Sequence, residues 1–197
     1  MVPAPLLLAS GSPRRAMLLR AIGVPFEAMP SDVDETPLPG EAPTPYVERL
    51  ALAKAQAVAR VHAGRLVLGA DTTVTVDGEI LGKADDELGA RRLLERLAGR
   101  VHEVHTGVAL LRDGDSTVAC ATTRVKFAPM TFEDIEAYLA TNEWHDKAGA
   151  YGIQGRISRF VERVEGSYTN VVGLPVALVW GLLMRYPDDR GTGRSQP

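Results

Sequence analysis

The stretch "LLLASGSPRRAMLLRAIGV", residues 6–24, starts as a buried strand and ends as a helix, with the break at Gly11-Ser12-Pro13. Ser12 has the chemistry of an N-cap, and Pro13 suits the first helical position, where a missing N–H costs nothing. Arg14 and Arg15 then fall in the first turn, where the macrodipole is already positive and acidic side chains are preferred. A strand–turn–helix junction also presents unpaired backbone N–H groups, which attract anions. The arginine pair is therefore either two solvated guanidiniums on a surface helix or part of an anion site. In the second case Ser10, Gly11 and Ser12 supply hydroxyls and close backbone approach to a polyphosphate, and the arginines supply bidentate forks. The glycine and lysine spacing of a Walker A loop is absent.

Outward from this junction, strands and helices alternate. "PFEAMPSDVDE" (25–35) is extended and acidic, and "PLPGEAPTP" (37–45) is a Pro-rich loop leading into a long helix over about 45–62. "RLVLGADTTVTVDGEIL" (65–81) reads as a buried strand, then an alternating one that turns at Asp77-Gly78. "DDELGARRLLERLAG" (85–99) is an amphipathic helix with acids at its start and Gly99 just past its end. Two long strands joined at Asp113-Gly114 fill 101–130, and a helix capped by Thr131 covers 131–142. "FVERVEG" (160–166) is a strand and "GLPVALVWGLLMRY" (173–186) a closing apolar helix. Long hairpins mixed with strand–helix units predict a mixed sheet in an α/β domain over 1–186. The tail at 187–197 is rich in Gly, Pro and charge and is expected to fray.

The bulk composition narrows the partners. Of 197 residues, 45% are hydrophobic and 24% charged, enough for one sizeable core, and the formal net charge is −3. A chain that binds nucleic acid through its overall charge is usually basic, so any phosphate ligand must meet a local patch. The single cysteine, Cys120, reads as a small buried hydrophobe in a reducing compartment. "MVPAPLLLAS" is short and uncharged for a signal peptide, and no run approaches a membrane span. A soluble cytoplasmic protein is expected.

Function is sought where local rules fail. On the helix from Pro45 the apolar stripe runs Val47, Leu50, Ala51, position 54, Ala57, Val58 and Val61, so Lys54 stands where the period asks for a core residue. It is either a snorkelling lysine or a cation aimed into a cleft. Asp71 ends an apolar run behind Gly69-Ala70, at the carboxyl end of a strand where α/β sheets tend to bind ligands. It either caps a turn or holds a divalent metal and orients a water. Asp32, Asp34 and Glu35 form a solvated loop or complete a magnesium site. Lys83, after the Gly82 turn, reaches the same phosphates or is exposed. The four histidines make no metal site: His102 and His105 fall on opposite faces of a strand, His62 ends a helix and His145 sits in a loop.

Five segments, "ASGSPRRAMLL", "GADTTV", "GEILGKADD", "KAGAYGIQG" and "VEGSYTNVVGLP", closely resemble the Maf family of nucleoside triphosphate pyrophosphatases, in unbroken order from about Leu6 to Pro175. The resemblance implies an inosine triphosphatase-like α/β fold: an elongated mixed sheet flanked by helices, with two lobes around a central cleft. It implies a divalent metal cofactor, Mg²⁺ or Mn²⁺, and hydrolysis between the α and β phosphates to a nucleoside monophosphate and pyrophosphate. It makes Asp71 the catalytic acid/base, places Ser10, Arg15, Lys54 and Lys83 along the phosphate path, and sets Glu35 with Asp71 near the metal. A homodimer is also implied.

The family has branches, and Arg14, Thr72 and Gln154 match the pattern of the one that favours dTTP and UTP. Another branch, favouring 7-methyl-GTP, carries a large aromatic, a Gln and an acidic residue there. A neutral amide such as Gln154 both donates and accepts, which suits the O4 and N3–H edge of uracil or thymine, whereas a carboxylate only accepts and suits guanine. From a different class, a nucleotide-binding regulator of cell division without turnover is the rival reading.

Overall fold

Leu6, Leu7 and Leu8 have no solvent exposure, because β1 (Leu6–Ala9) lies inside the sheet with both faces covered. A computed structural model describes residues 5–186; the 187–197 tail expected to fray lies outside the described residues. Seven strands form one sheet in the order β2-β1-β3-β5-β6-β7, with β4 added to β3. Strand β1 runs parallel to β2 (Phe26–Ala28) and to β3 (Val67–Val76). The remaining pairings, among β3, β4 (Glu79–Leu81), β5 (Val101–Arg112), β6 (Asp115–Phe127) and β7 (Val161–Glu165), are antiparallel. The fold is thus α/β with a mixed sheet flanked by helices. Both Asp-Gly turns form as their sequence predicts. Asp77 and Gly78, and Asp113 and Gly114, all have positive φ, as a two-residue hairpin loop of the twist-compatible kind requires.

The sheet's two faces are covered differently. The larger core gathers Leu6, Leu8, Leu68, Val108 and Leu110 with α1 (Pro13–Ala21), α3 (Glu87–Leu97), α4 (Phe132–Leu139) and α6 (Val176–Leu183). The opposite face, Leu7, Ala9, Val67 and Ala109, packs on Ala51, Ala55 and Val58 of α2 (Pro43–Ala59). The α2 helix starts two residues before the expected position, since Pro43 itself suits the first turn. It also ends earlier, leaving Val61 75% exposed beyond its end, and Ala55 rather than Ala57 is fully buried.

Helix α2 approaches the sheet closely because small residues face it. A Cβ at Gly69 would fall 2.0 Å from the Ala51 carbonyl oxygen, and one at Gly107 would fall 2.2 Å from that of Val47. Both obstacles are backbone, so neither can rotate away. Gly69→Ala is therefore expected to cost about 3 kcal/mol as an overpacking defect, lowering Tm by roughly 10 °C. An unchanged melting curve would refute the close-approach role of this glycine.

Two local expectations are corrected, and one element is added. Ser12 occupies the cap position of α1, but its side chain makes no capping bond; its N–H instead donates to Ser10 Oγ at 3.2 Å. Cys120 is half-buried beside Tyr46, Val47 and Leu50 rather than fully buried. A five-residue helix, α5 (Tyr168–Val172), lies where the sequence shows no helical period. By contrast, Thr131 and Asp134 form a reciprocal capping box on α4, and Asp86 caps α3 through the Gly89 N–H. No helix among the described residues is long and apolar enough to cross a membrane.

Candidate functional site

One edge of β3 is interrupted. Strand β1 pairs with it up to Gly69 and β4 rejoins at Val74, so on that edge residues 70–73 carry no strand partner. Side chains from both faces of β3 meet at this gap. It is lined by Ser10, Gly11 and Ser12 from the end of β1, by Arg14 and Arg15 of α1, and by Glu35, Lys54, Asp71, Thr72, Lys83 and Gln154. The cavity measures about 640 Å³, within the usual range for a small-molecule site.

Asp71 sits opposite Gly107 in the β3–β5 register, on the face that α2 covers. Side chains on a helix lean toward its N-terminus, which brings Lys54 back over this point. Its ammonium donates to Asp71 Oδ1 and to Glu35 Oε1, each at 2.6 Å, and both Lys54 and Asp71 are 7% exposed. Lys83 donates to the other Glu35 oxygen at 3.0 Å. Burial pushes the Glu35 carboxyl up, but the hydrogen bonds and charges of Lys54 and Lys83 outweigh it and hold its pKa at about 2. Tyr46 fixes the loop by donating to the Glu35 carbonyl at 2.9 Å. Burial, followed by the Asp71 and Glu35 charges, raises that phenol to about 12. Asp71 Oδ2 takes no hydrogen bond among the described residues, and Asp71 lines the cavity.

Arg15 answers why a helix starts with guanidiniums. Its Nε donates to the Gly173 carbonyl at 2.9 Å, Nη1 to Ser10 Oγ at 2.9 Å and Nη2 to Thr72 Oγ1 at 3.1 Å. All three acceptors are neutral. Burial lowers its pKa, opposed mainly by the charge of Asp71, and no carboxylate among the described residues pairs with it directly. A half-buried cation held by neutral groups is electrostatically incomplete until an anion arrives. Thr72 passes the bracing inward to Thr106 Oγ1 at 2.9 Å, and Thr106 donates to the Asn170 carbonyl at 3.2 Å. Asn170, fully buried, ties α5 to β5 and β6 by donating to the Val104 carbonyl and to Thr123 Oγ1.

Nine of the residues singled out from the sequence line this one cavity: Ser10, Arg14, Arg15, Glu35, Lys54, Asp71, Thr72, Lys83 and Gln154. Asp32 and Asp34 do not; both are exposed, and Asp34 accepts from the Thr36 N–H. Gln154 is exposed at the rim with its amide unpartnered among the described residues. Sequence reasoning missed Glu143, Asp146 and Lys147, which line the cavity from the loop after α4. Their signal was only their place just ahead of and within "KAGAYGIQG". His102 is buried against Tyr151, while His105 bonds Thr75 and Thr122 on the other face, and neither lines the cavity.

The donor set suits a small divalent cation. Glu35 and Asp71 each give one carboxylate oxygen to Lys54 Nζ, which draws the two acids together in the cavity wall. Among the described residues no cluster of three or more His, Cys, Asp or Glu side chains could hold a metal. Magnesium needs only one or two carboxylates when phosphate oxygens and waters complete its shell.

The family model for Maf-like proteins matches residues 5–186. The chain belongs to the Maf family. This Maf chain is 52% identical over 171 residues to a protein of Symbiobacterium thermophilum named dTTP/UTP pyrophosphatase, covering 87% of this chain and 88% of that one. It is 50% identical over 183 residues to a protein of the same name from Geotalea uraniireducens, covering 91% and 94%. Among solved structures, the Ham1 protein of Staphylococcus aureus resembles it at 18% identity with a TM-score of 0.48, over 65% of this chain and 74% of that one.

Proposed function

We propose that this protein is a nucleoside triphosphate pyrophosphatase that cleaves dTTP and UTP between the α and β phosphates, releasing the nucleoside monophosphate and pyrophosphate. The observation that carries the reading is the convergence of Arg15, Lys54 and Lys83 with the first turn of α1 on one cavity that also holds Asp71. Family membership and the names of the relatives support it. In this reading Asp71 Oδ2 accepts the proton of the attacking water, while Lys54 fixes the carboxylate through Oδ1. Arg15, Lys83 and the unpaired N–H groups of α1 bind the triphosphate and stabilise charge on the departing pyrophosphate. Glu35 and Asp71 would hold Mg²⁺ or Mn²⁺, which when bound draws charge from the phosphate oxygens. Ser10 and Thr72 hold Arg15 in place, and Arg14 and Gln154 lie toward the nucleoside.

Pyrophosphate release across dTTP, UTP, CTP, GTP and 7-methyl-GTP with either metal tests the reading, with dTTP and UTP expected to lead. A nucleotide that is bound and returned intact would make the protein a regulator instead. In the same panel Gln154→Glu is expected to lower kcat/KM for dTTP and UTP about tenfold, the scale of one lost hydrogen bond plus a repelled carbonyl. Unchanged kinetics for both nucleotides would remove Gln154 from base recognition.

A further inference from the structure

Lys147 is a cavity cation that the chemistry above does not use. Its Nζ donates only to the His145 carbonyl, at 3.2 Å, and among the described residues no carboxylate lies within ion-pairing distance. Gly152 shows where its stem runs. That glycine has no positive φ, so the backbone conformation does not require it. A Cβ there would instead fall 2.8 Å from Lys147 Cε and 3.1 Å from Cδ. The volume a side chain at 152 would fill is occupied by the lysine stem, two residues from Gln154.

Lys147 lines the cavity with Arg14, Glu143, Asp146 and Gln154, and the first three supply the charges that act on its ammonium. Burial and then Arg14 disfavour its charged form. Glu143 is already committed, since its Oε2 accepts the Arg156 N–H at 2.7 Å and so fixes the turn that carries Gln154. Among the described residues the ammonium thus forms no ion pair with Glu143 or Asp146, and it stays available to a ligand in the cavity that Gln154 also lines.

We propose that Lys147 is a base-recognition residue that selects pyrimidines bearing a carbonyl at C4. This rests on the nucleotide reading of the cavity. An ammonium offers donors only. Uracil and thymine present the O4 acceptor to it, with their N3–H left for the Gln154 side-chain oxygen. Cytosine presents an amine at C4, setting donor against donor in a partly desolvated site. Sites built to hydrogen-bond one group reject its replacement strongly, because the site's own polar atom is left unpaired. The "KAGAYGIQG" segment then has a joint purpose: it carries both readers of the base, and Gly152 leaves room for the stem of the first.

The test is calorimetric binding of the non-cleavable α,β-imido analogues of UTP and CTP, with pyrophosphate as a base-free control, all with Mg²⁺. Lys147→Met is expected to weaken the UTP analogue about 10- to 100-fold, the range for a hydrogen bond to a charged group, and to leave pyrophosphate unchanged. The preference for uracil over cytosine should collapse. Gly152→Ala should reduce the preference by displacing the lysine stem, and Lys147→Arg should retain it. Equal weakening of all three ligands would assign Lys147 to the phosphates and overturn the proposal, as would a preserved preference in folded Lys147→Met. A wild type that binds the UTP analogue selectively but releases no pyrophosphate from UTP would sink the hydrolytic reading alone. A wild type with no preference between the analogues would sink this one.

Discussion

Asp71→Asn is expected to slow pyrophosphate release from UTP or dTTP by more than about a hundredfold, the scale of removing a general base, while nucleotide binding survives. The substitution preserves shape and keeps an oxygen for Lys54, whose ammonium also retains Glu35 at 2.6 Å. What disappears is the proton-accepting Oδ2 and one negative charge in a cavity that receives a polyanion. Affinity for the non-cleavable UTP analogue should therefore hold or tighten even as turnover fails. Single-turnover pyrophosphate release beside calorimetric binding separates the two quantities. A variant with near-normal turnover would make another residue the base. A variant that loses binding and turnover together would mean that Asp71 acts chiefly through the shape of the Lys54–Glu35 cluster.

The sequence announced these residues unevenly, and the reasons are physical. Lys54 was visible because a helix's apolar stripe has a period and a lysine in it is an error unless it has a task. Arg14 and Arg15 were visible because the first turn of a helix has a sign. The two Asp-Gly hairpins were visible because few residue pairs tolerate positive φ at both turn positions. All of these are local rules. The gap at residues 70–73 of β3 is not local: it exists because β1 stops at Ala9 and β4 pairs only from Val74, and neither limit is written in β3 itself. That gap is what lets Asp71 and Thr72, adjacent and facing opposite sides, serve one cavity.

The same distinction accounts for what was missed. Helix α5 is too short to be set by propensity; its frame is Asn170, whose bonds reach 66 and 47 residues away to Val104 and Thr123. Lys147 and Glu143 lie in irregular chain, where no period marks a residue as out of place. Gln154 and Thr72 were picked out by family resemblance, since an exposed amide and a strand threonine break no rule. The "GSYTNVVGLP" segment takes its place in the site through Gly173, whose carbonyl accepts from Arg15.

That contact supplies the second large expected effect. Arg15→Lys retains the positive charge, so a purely electrostatic role predicts a mild change. The geometry predicts otherwise. Three guanidinium nitrogens are tied to three segments, at Ser10, Thr72 and Gly173, and an ammonium on a flexible stem cannot reproduce that fork. Both Arg15→Lys and Arg15→Met should lose about a hundredfold or more in kcat/KM, comparable to removing a preorganised donor from a developing anion. The control is Arg20→Met on the same helix, whose guanidinium packs over Phe26 away from the cavity; its rate should stay near wild type. Removing Arg15 also relieves the helix of a misplaced charge, worth about 0.3–1 kcal/mol. The lost ties to Gly173, Ser10 and Thr72 outweigh this at about 1 kcal/mol or more each, so melting temperature should fall rather than rise. If Arg15→Lys keeps activity within a few-fold of wild type, charge alone suffices at this position and the bracing by Gly173 has no catalytic consequence. If it fails as Arg15→Met does, the first turn of α1 binds phosphate through a fixed fork, and the arginine's unfavourable place on its own helix is explained by what that fork holds.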